Sequence, residues 1–190
     1  MKLNFCATAG GSCIRNFLLL HVGIRVVNSM SVENVKAYLK QWGMDNKIME
    51  FPVSSATVEL ASKALGVIPA RIAKTLSFHL ADGCVLIVAA GDAKVDNKKF
   101  KAEFGLKAKM LTPEEALAQT GFAVGGVCPF AIDNPNVKIV LDISLKRFET
   151  VFPACGSSHS AIELSCSQLY EYSRAVAWVD VCKGWQAEEE

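Results

Sequence analysis

The sequence predicts a single α+β domain in which helices surround a mixed sheet. Segments of helical spacing are interspersed with apolar runs that read as strands. An Asp82-Gly83 turn joins the two longest runs as a hairpin, whereas the other connections are long. No fixed period recurs, which excludes a repeat array. A length of 190 residues suits one domain. With 51% hydrophobic and 21% charged residues, the chain can bury a sizeable core, and a largely disordered protein is excluded.

Taken in order, Val32, Val35, Tyr38, Leu39 and Trp42 have helical spacing, and Gly43 supplies the stop. Residues 48–53 read as a short strand. Ser54 and Ser55 then open a helix that Gly66 closes, and Pro69 begins one further helical turn. Residues 74–80 alternate and residues 84–90 are continuously apolar, so the second hairpin strand is expected to be buried on both faces. Asp96 caps a helix that stops at Gly105. Residues 108–111 read as a strand. Thr112-Pro113-Glu114-Glu115 is a capping box with proline at the first helical position, and the helix ends before Gly121. A glycine-rich loop covers 121–132. Strands follow at 137–141, 150–153 and 161–164, with a helical turn at 144–148. Ser165 and Gln168 form a second capping box, and 175–181 supplies an edge strand.

Residues 1–29 read differently. An apolar stretch, Phe17-Leu18-Leu19-Leu20, follows Lys2 and Arg15. It is too short to span a membrane, which takes about 20 apolar residues. It lacks the cleavage site of a signal peptide. A targeting peptide and a start-site artefact both fit, and the second is favoured because Met30-Ser31-Val32-Glu33 reads as an ordinary cytosolic start. The domain is expected over 30–183, with 184–190 as a frayed, charged tail.

Composition narrows the function classes. Lys plus Arg is 20 and Asp plus Glu is 19, a formal net charge of +1, so any nucleic-acid partner must be met by a local patch. The only basic cluster is Lys94, Lys98, Lys99, Lys101, Lys107 and Lys109. It reads either as a solvated face or as a surface for weak, transient tRNA contact. Seven cysteines, an odd number with no C-x-x-C pair, fit reduced thiols in the cytoplasm better than a disulfide scaffold or a zinc site. The chain lacks a G-x-S-x-G elbow, a P-loop, a dinucleotide fingerprint and an H-E-x-x-H helix. Three histidines are too few and too scattered for a metal site, so no metal and no cofactor are expected. Cys128 with His159 as nucleophile and base is a weak pairing in a chain with this many cysteines.

Arg71-Ile-Ala-Lys74-Thr-Leu-Ser-Phe78, followed by Gly125-Gly126-Val127-Cys128-Pro129-Phe130, resembles the YbaK-type aminoacyl-tRNA deacylases, relatives of the editing domain of bacterial prolyl-tRNA synthetases. Ser55-Ala-Thr57-Val-Glu-Leu-Ala61, Ala90-Gly91-Asp92, Pro153-Ala-Cys-Gly156-Ser and Ala161-Ile-Glu-Leu-Ser165 extend the likeness across roughly 31–183. The resemblance implies a strongly curved, barrel-like mixed sheet. It also implies metal-free hydrolysis of the ester of mischarged tRNA, acting in trans, with an aminoacyl-tRNA synthetase as a further partner and no membrane.

The resemblance makes Lys74 the residue on which activity depends; spacing alone gives a lysine snorkelling at a strand end. It assigns catalysis also to Gly125 and Pro129. Glycine and proline at 125–129 suit a tight connection, and equally a backbone that approaches a ligand closely. Substrate contacts are expected from Gly126, Val127 and Cys128, from Ser54 at the end of the first strand, and from the turn Gly156, Ser157 and His159. That turn departs from the basic and glycine residues many relatives carry, and His159 alone reads as a surface turn residue. The competing reading is a binding module of the same fold that recognises aminoacyl-tRNA or an adenylated ligand without hydrolysing it.

Overall fold

The computed structural model describes residues 31–186; the expected leader and most of the expected tail lie outside the described residues. Helix α1 (Val32–Leu39) continues as a 3-10 turn to Trp42. Strand β1 (Met49–Glu50) precedes α2 (Val58–Leu65). The hairpin is β2 (Ile72–Leu80) and β3 (Gly83–Ala90). Then follow β4 (Lys94–Val95), α3 (Asn97–Phe104), α4 (Pro113–Thr120), β5 (Val137–Asp142) and β6 (Thr150–Pro153). The chain closes with β7 (Ser160–Ala161), β8 (Leu164–Ser165), α5 (Cys166–Tyr172), β9 (Ala177–Val179) and β10 (Cys182–Lys183).

Six strands form one strongly curled, half-barrel sheet in the order β8-β6-β2-β3-β5-β9. The β2–β3 and β6–β8 pairs are antiparallel, and β2–β6, β3–β5 and β5–β9 are parallel. The sheet is therefore mixed, as the sequence predicts. Residues 84–90 of β3 are wholly inaccessible, as a continuous apolar run between two partners requires. Phe100 of α3 packs 5.1 Å from Phe78 of β2, ring centre to ring centre, and fixes α3 against the sheet. Both capping boxes are present: Thr112 with Glu115 opens α4, and Ser165 with Gln168 opens α5.

Four elements differ from expectation, three of them for a long-range reason and one for a local cap. The first strand shrinks to β1, because beyond Glu50 the chain turns to follow the 155–160 loop, with Phe51 N donating to His159 O at 2.7 Å. Helix α2 begins later than Ser54-Ser55; its cap is Thr57, whose Oγ1 accepts from Leu60 N at 3.2 Å. Residues 108–111 form no strand, only a bridge from Met110 to Phe78. The strand expected at 161–164 is split: β7 pairs with β1, and β8 pairs with β6. The short β4–β10 ribbon has no signal in the sequence.

Candidate active site

Strand β2 has an incomplete edge. Its first residues, Ile72 and Ala73, pair with β6, and further along Leu111 N donates to Ser77 O at 3.1 Å and His79 N to Lys109 O at 2.9 Å. Between these contacts that edge has no strand partner among the described residues. The bonds at Ser77 and His79 set the pleat, so Thr75 turns its own N–H and C=O to the same open edge. A cavity of about 310 Å³ lies there. Its walls come from β2, the start of α2, the 109–111 segment and the 124–127 loop. They are mostly apolar: Val58, Leu65, Leu76, Met110, Val127 and Phe152 contribute.

Lys74 is the one charged residue lining this cavity among the described residues. Its Nζ donates to Gly91 O at 2.9 Å and to Ala93 O, both in the turn that follows β3. An ammonium has three hydrogens, so one is left for a ligand. Burial lowers the Lys74 pKa. Cys182, Asp92 and Glu59 oppose that shift, and Lys94 adds to it. Cys182 is itself pushed up to about 12 by burial and the neighbouring Asp142, so it is a neutral thiol at physiological pH. Asp92 is therefore the anion that matters most to Lys74.

Three loops meet beside the lysine. Ser55 N and Oγ both donate to Ser158 O, at 2.6 and 2.9 Å. Gly125 has φ +90°, and a Cβ there would stand 3.2 Å from Ala56 Cβ and 3.6 Å from Ser158 Cβ. At Gly126 a Cβ would come within 2.9 Å of Ser157 Cα and 3.1 Å of Gly156 O. The glycines thus let one loop lie directly on another, which shapes the cavity wall. The close approach is to protein backbone and to Ala56.

Of the residues singled out in the sequence, Lys74, Gly125 and Val127 line the cavity. Gly126, Ser54, Gly156 and Ser157 stand behind the wall, in the loops that shape it. Pro129 and Cys128 are buried. His159 is exposed, with Nδ1 3.0 Å from Ser158 Oγ. Ser55 and Ser160 line the cavity where Ser54 and Ser157 were expected. Thr75 and Ser77 also belong to it; their position in the alternating strand was legible, but not the gap that exposes them. Nothing in the sequence marks Met110 or Leu111, which arrive from a distant segment.

Cys128 does not suit a nucleophile. Its thiol is fully buried, its pKa is pushed up to about 12 by that burial, and it points to Phe130 O at 3.9 Å. Cys128→Ser is expected to keep the fold and to lose stability of about 1 kcal/mol, checked by a thermal melt. Among the described residues no three His, Cys, Asp or Glu side chains gather as metal ligands. Asp142 spends its carboxylate on the amides of Ser144, Val181 and Cys182 at 2.9–3.1 Å. The five described cysteines are free thiols. No helix among the described residues is long and apolar enough to cross a membrane.

Comparison with known proteins places this arrangement. The uncharacterized protein YwhH of Bacillus subtilis (strain 168) is 54% identical over 158 residues, covering 83% of this chain and all of that protein. A proline–tRNA ligase of Thermotoga sp. (strain RQ2) is 36% identical over 91 residues, 47% of this chain but only 15% of the ligase. Among solved structures, one of a candidate trans-editing enzyme for prolyl tRNA synthetase superposes with a TM-score of 0.73 at 29% identity, covering 82% of this chain and 99% of that one. The aminoacyl-tRNA editing domain matches residues 53–172, a span that holds Lys74, the open edge of β2 and all three loops. The chain belongs to the aminoacyl-tRNA editing domain family.

Proposed function

We propose that the protein is a free-standing deacylase that hydrolyses the ester between an uncharged amino acid and the terminal ribose of mischarged tRNA. The observation that carries this reading is a half-buried lysine with one uncommitted N–H lining an apolar cavity. The amino-acid side chain enters the cavity, which has no carboxylate among its described lining residues to pair with a cationic side chain. The open N–H and C=O of Thr75 orient the aminoacyl group. Water adds to the ester carbonyl carbon, and the Lys74 ammonium donates to the oxygen on which negative charge grows. The acyl C–O bond then breaks, and the ribose oxygen leaves as a hydroxyl, taking up the proton that the added water gives off. No side-chain nucleophile is needed.

The tRNA body has a route to this cavity. Lys94 follows the turn that holds Lys74, and Lys109 precedes Met110 of the cavity wall; both are exposed. Lys98, Lys101 and Lys107, in the same stretch of chain, are also exposed, while Lys99 is engaged by Asp180 at 2.7 Å. With a net charge of +1, binding is weak, and transfer from a synthetase suits it. The free thiols fit a reducing compartment such as the cytoplasm.

The test is release of free amino acid from mischarged tRNA by substoichiometric protein. Many turnovers per molecule support a deacylase. Retention of intact aminoacyl-tRNA without release supports the binding module.

A further inference from the structure

The turn that holds Lys74 is itself held from outside. Gly91 and Ala93, whose carbonyls accept from the lysine, flank Asp92. The Asp92 carboxylate meets Arg147 in a two-pronged pair, Nη1 to Oδ2 at 3.0 Å and Nη2 to Oδ1 at 2.6 Å. Arg147 is fixed in turn. Its Nε donates to Ser144 O and its Nη1 to Trp185 O, both at 2.9 Å, and its guanidinium lies over the rings of Phe148 and Trp185. The same 3-10 segment, Ile143–Arg147, reaches the other end of the turn, where Ser144 Oγ accepts from Ala90 N at 3.2 Å.

Surface ion pairs usually contribute little, because two long side chains must be ordered in water. This one differs in having bidentate geometry, aromatic cover on the arginine and about two-thirds burial of both side chains. Gly91 lies directly against the 3-10 turn that precedes β2: a Cβ there would stand 2.1 Å from Pro69 O. The turn is thus pressed on one side by the Pro69 backbone and clasped on the other by Arg147.

We propose that Asp92 and Arg147 are positioning residues for Lys74: their pair fixes the two carbonyls that hold the ammonium, so that its remaining N–H points to the substrate. This rests on the deacylase reading for its kinetic consequence, but not for its structural one. The charged or titratable groups around the ammonium are Asp92 on the turn, Lys94 of β4, Cys182 of β10 and Glu59 of α2. Asp92 joins two effects, since it holds the turn and also supplies negative charge that favours the ammonium. Arg147 joins only in the first.

The test uses the full chain with two variants, Asp92→Asn and Arg147→Lys, and two readouts. One is the pH profile of kcat and KM on a mischarged tRNA, measured above the uncatalysed rate. The other is the titration of the Lys74 ammonium by NMR on lysine-labelled protein, which needs no activity. Asp92→Asn is expected to lower kcat on the order of tenfold with KM nearly unchanged, as a small misplacement of a catalytic group does. It also moves the alkaline loss of activity and the Lys74 titration together to lower pH, because removing the anion disfavours the ammonium. Arg147→Lys is expected to lower kcat while leaving the Lys74 titration near its wild-type position. Unchanged kcat and unchanged Lys74 titration in folded Asp92→Asn would overturn the positioning role and leave the deacylase reading intact. A protein that hydrolyses no ester would sink the deacylase reading; in it, Lys74 amide and side-chain NMR shifts that move in Arg147→Lys would uphold the positioning role, and shifts that stay in place would overturn it. Should Asp92→Asn fail to fold, Arg147→Lys decides: wild-type kcat there overturns the proposal.

Discussion

Lys74→Ala is expected to lower kcat by about 10²–10³-fold, the scale seen when one donor to a developing oxyanion is removed. The fold should survive, because the strand is held by main-chain pairing with Ala89 and its neighbours and not by the lysine side chain. Truncation leaves the carbonyls of Gly91 and Ala93 without Nζ, and Ala93 is fully buried, so the stability cost is about 1–3 kcal/mol. Lys74→Arg is not a rescue, since a planar guanidinium does not reproduce the three-way geometry of an ammonium between two carbonyls. Deacylation rates beside circular dichroism and a thermal melt decide the matter. Near-wild-type turnover would remove the lysine from the mechanism, and an unfolded mutant would make it a structural residue.

Gly125→Ala is the second large effect. At φ +90° an L-residue is strained, and the new methyl would press on Ala56 at 3.2 Å, next to Ser55 and Thr57 of the cavity wall. We expect a stability loss of about 1–2 kcal/mol. A fall in kcat/KM on the order of 10²-fold should accompany it, because the wall that seats the ester is displaced. The loss is transmitted through the wall and is not a direct clash with ligand, so KM and kcat should both suffer. If Gly125→Ala were fully active while Cys128→Ser were dead, thiol chemistry would replace attack by water assisted by Lys74. A buried thiol with its pKa pushed up to about 12 makes that outcome hard to reconcile with the structure.

Local chemistry was legible in the sequence wherever it sufficed to determine structure. The Asp82-Gly83 hairpin, the cap at Asp96 and the boxes opened by Thr112 and Ser165 each depend on a few adjacent residues. Lys74 stands out only when its motif is read together with the 125–129 loop, because a lysine at a strand start is otherwise ordinary. What escapes depends on distant partners. Whether Ser54 or Ser55 faces the cavity is decided by Ser158 O, about a hundred residues later. The cavity itself exists because β6 pairs only the first residues of β2 and the 109–111 segment only the later ones, a gap no local pattern announces. Asp92 can be read as part of the family likeness, but the Arg147 clasp on the turn that holds Lys74 needs the fold.

The most direct test of deacylation at this cavity is a set of initial rates on one tRNA carrying a series of amino acids, small and uncharged at one end, acidic and basic at the other. The cavity and its single lysine predict multiple-turnover hydrolysis of at least one small uncharged aminoacyl ester, with basic esters, repelled by Lys74, and acidic esters, whose carboxylate would occupy the N–H that the oxyanion needs, left close to their spontaneous rates. Binding of these tRNAs with no ester hydrolysed faster than in buffer would contradict a deacylase built on Lys74.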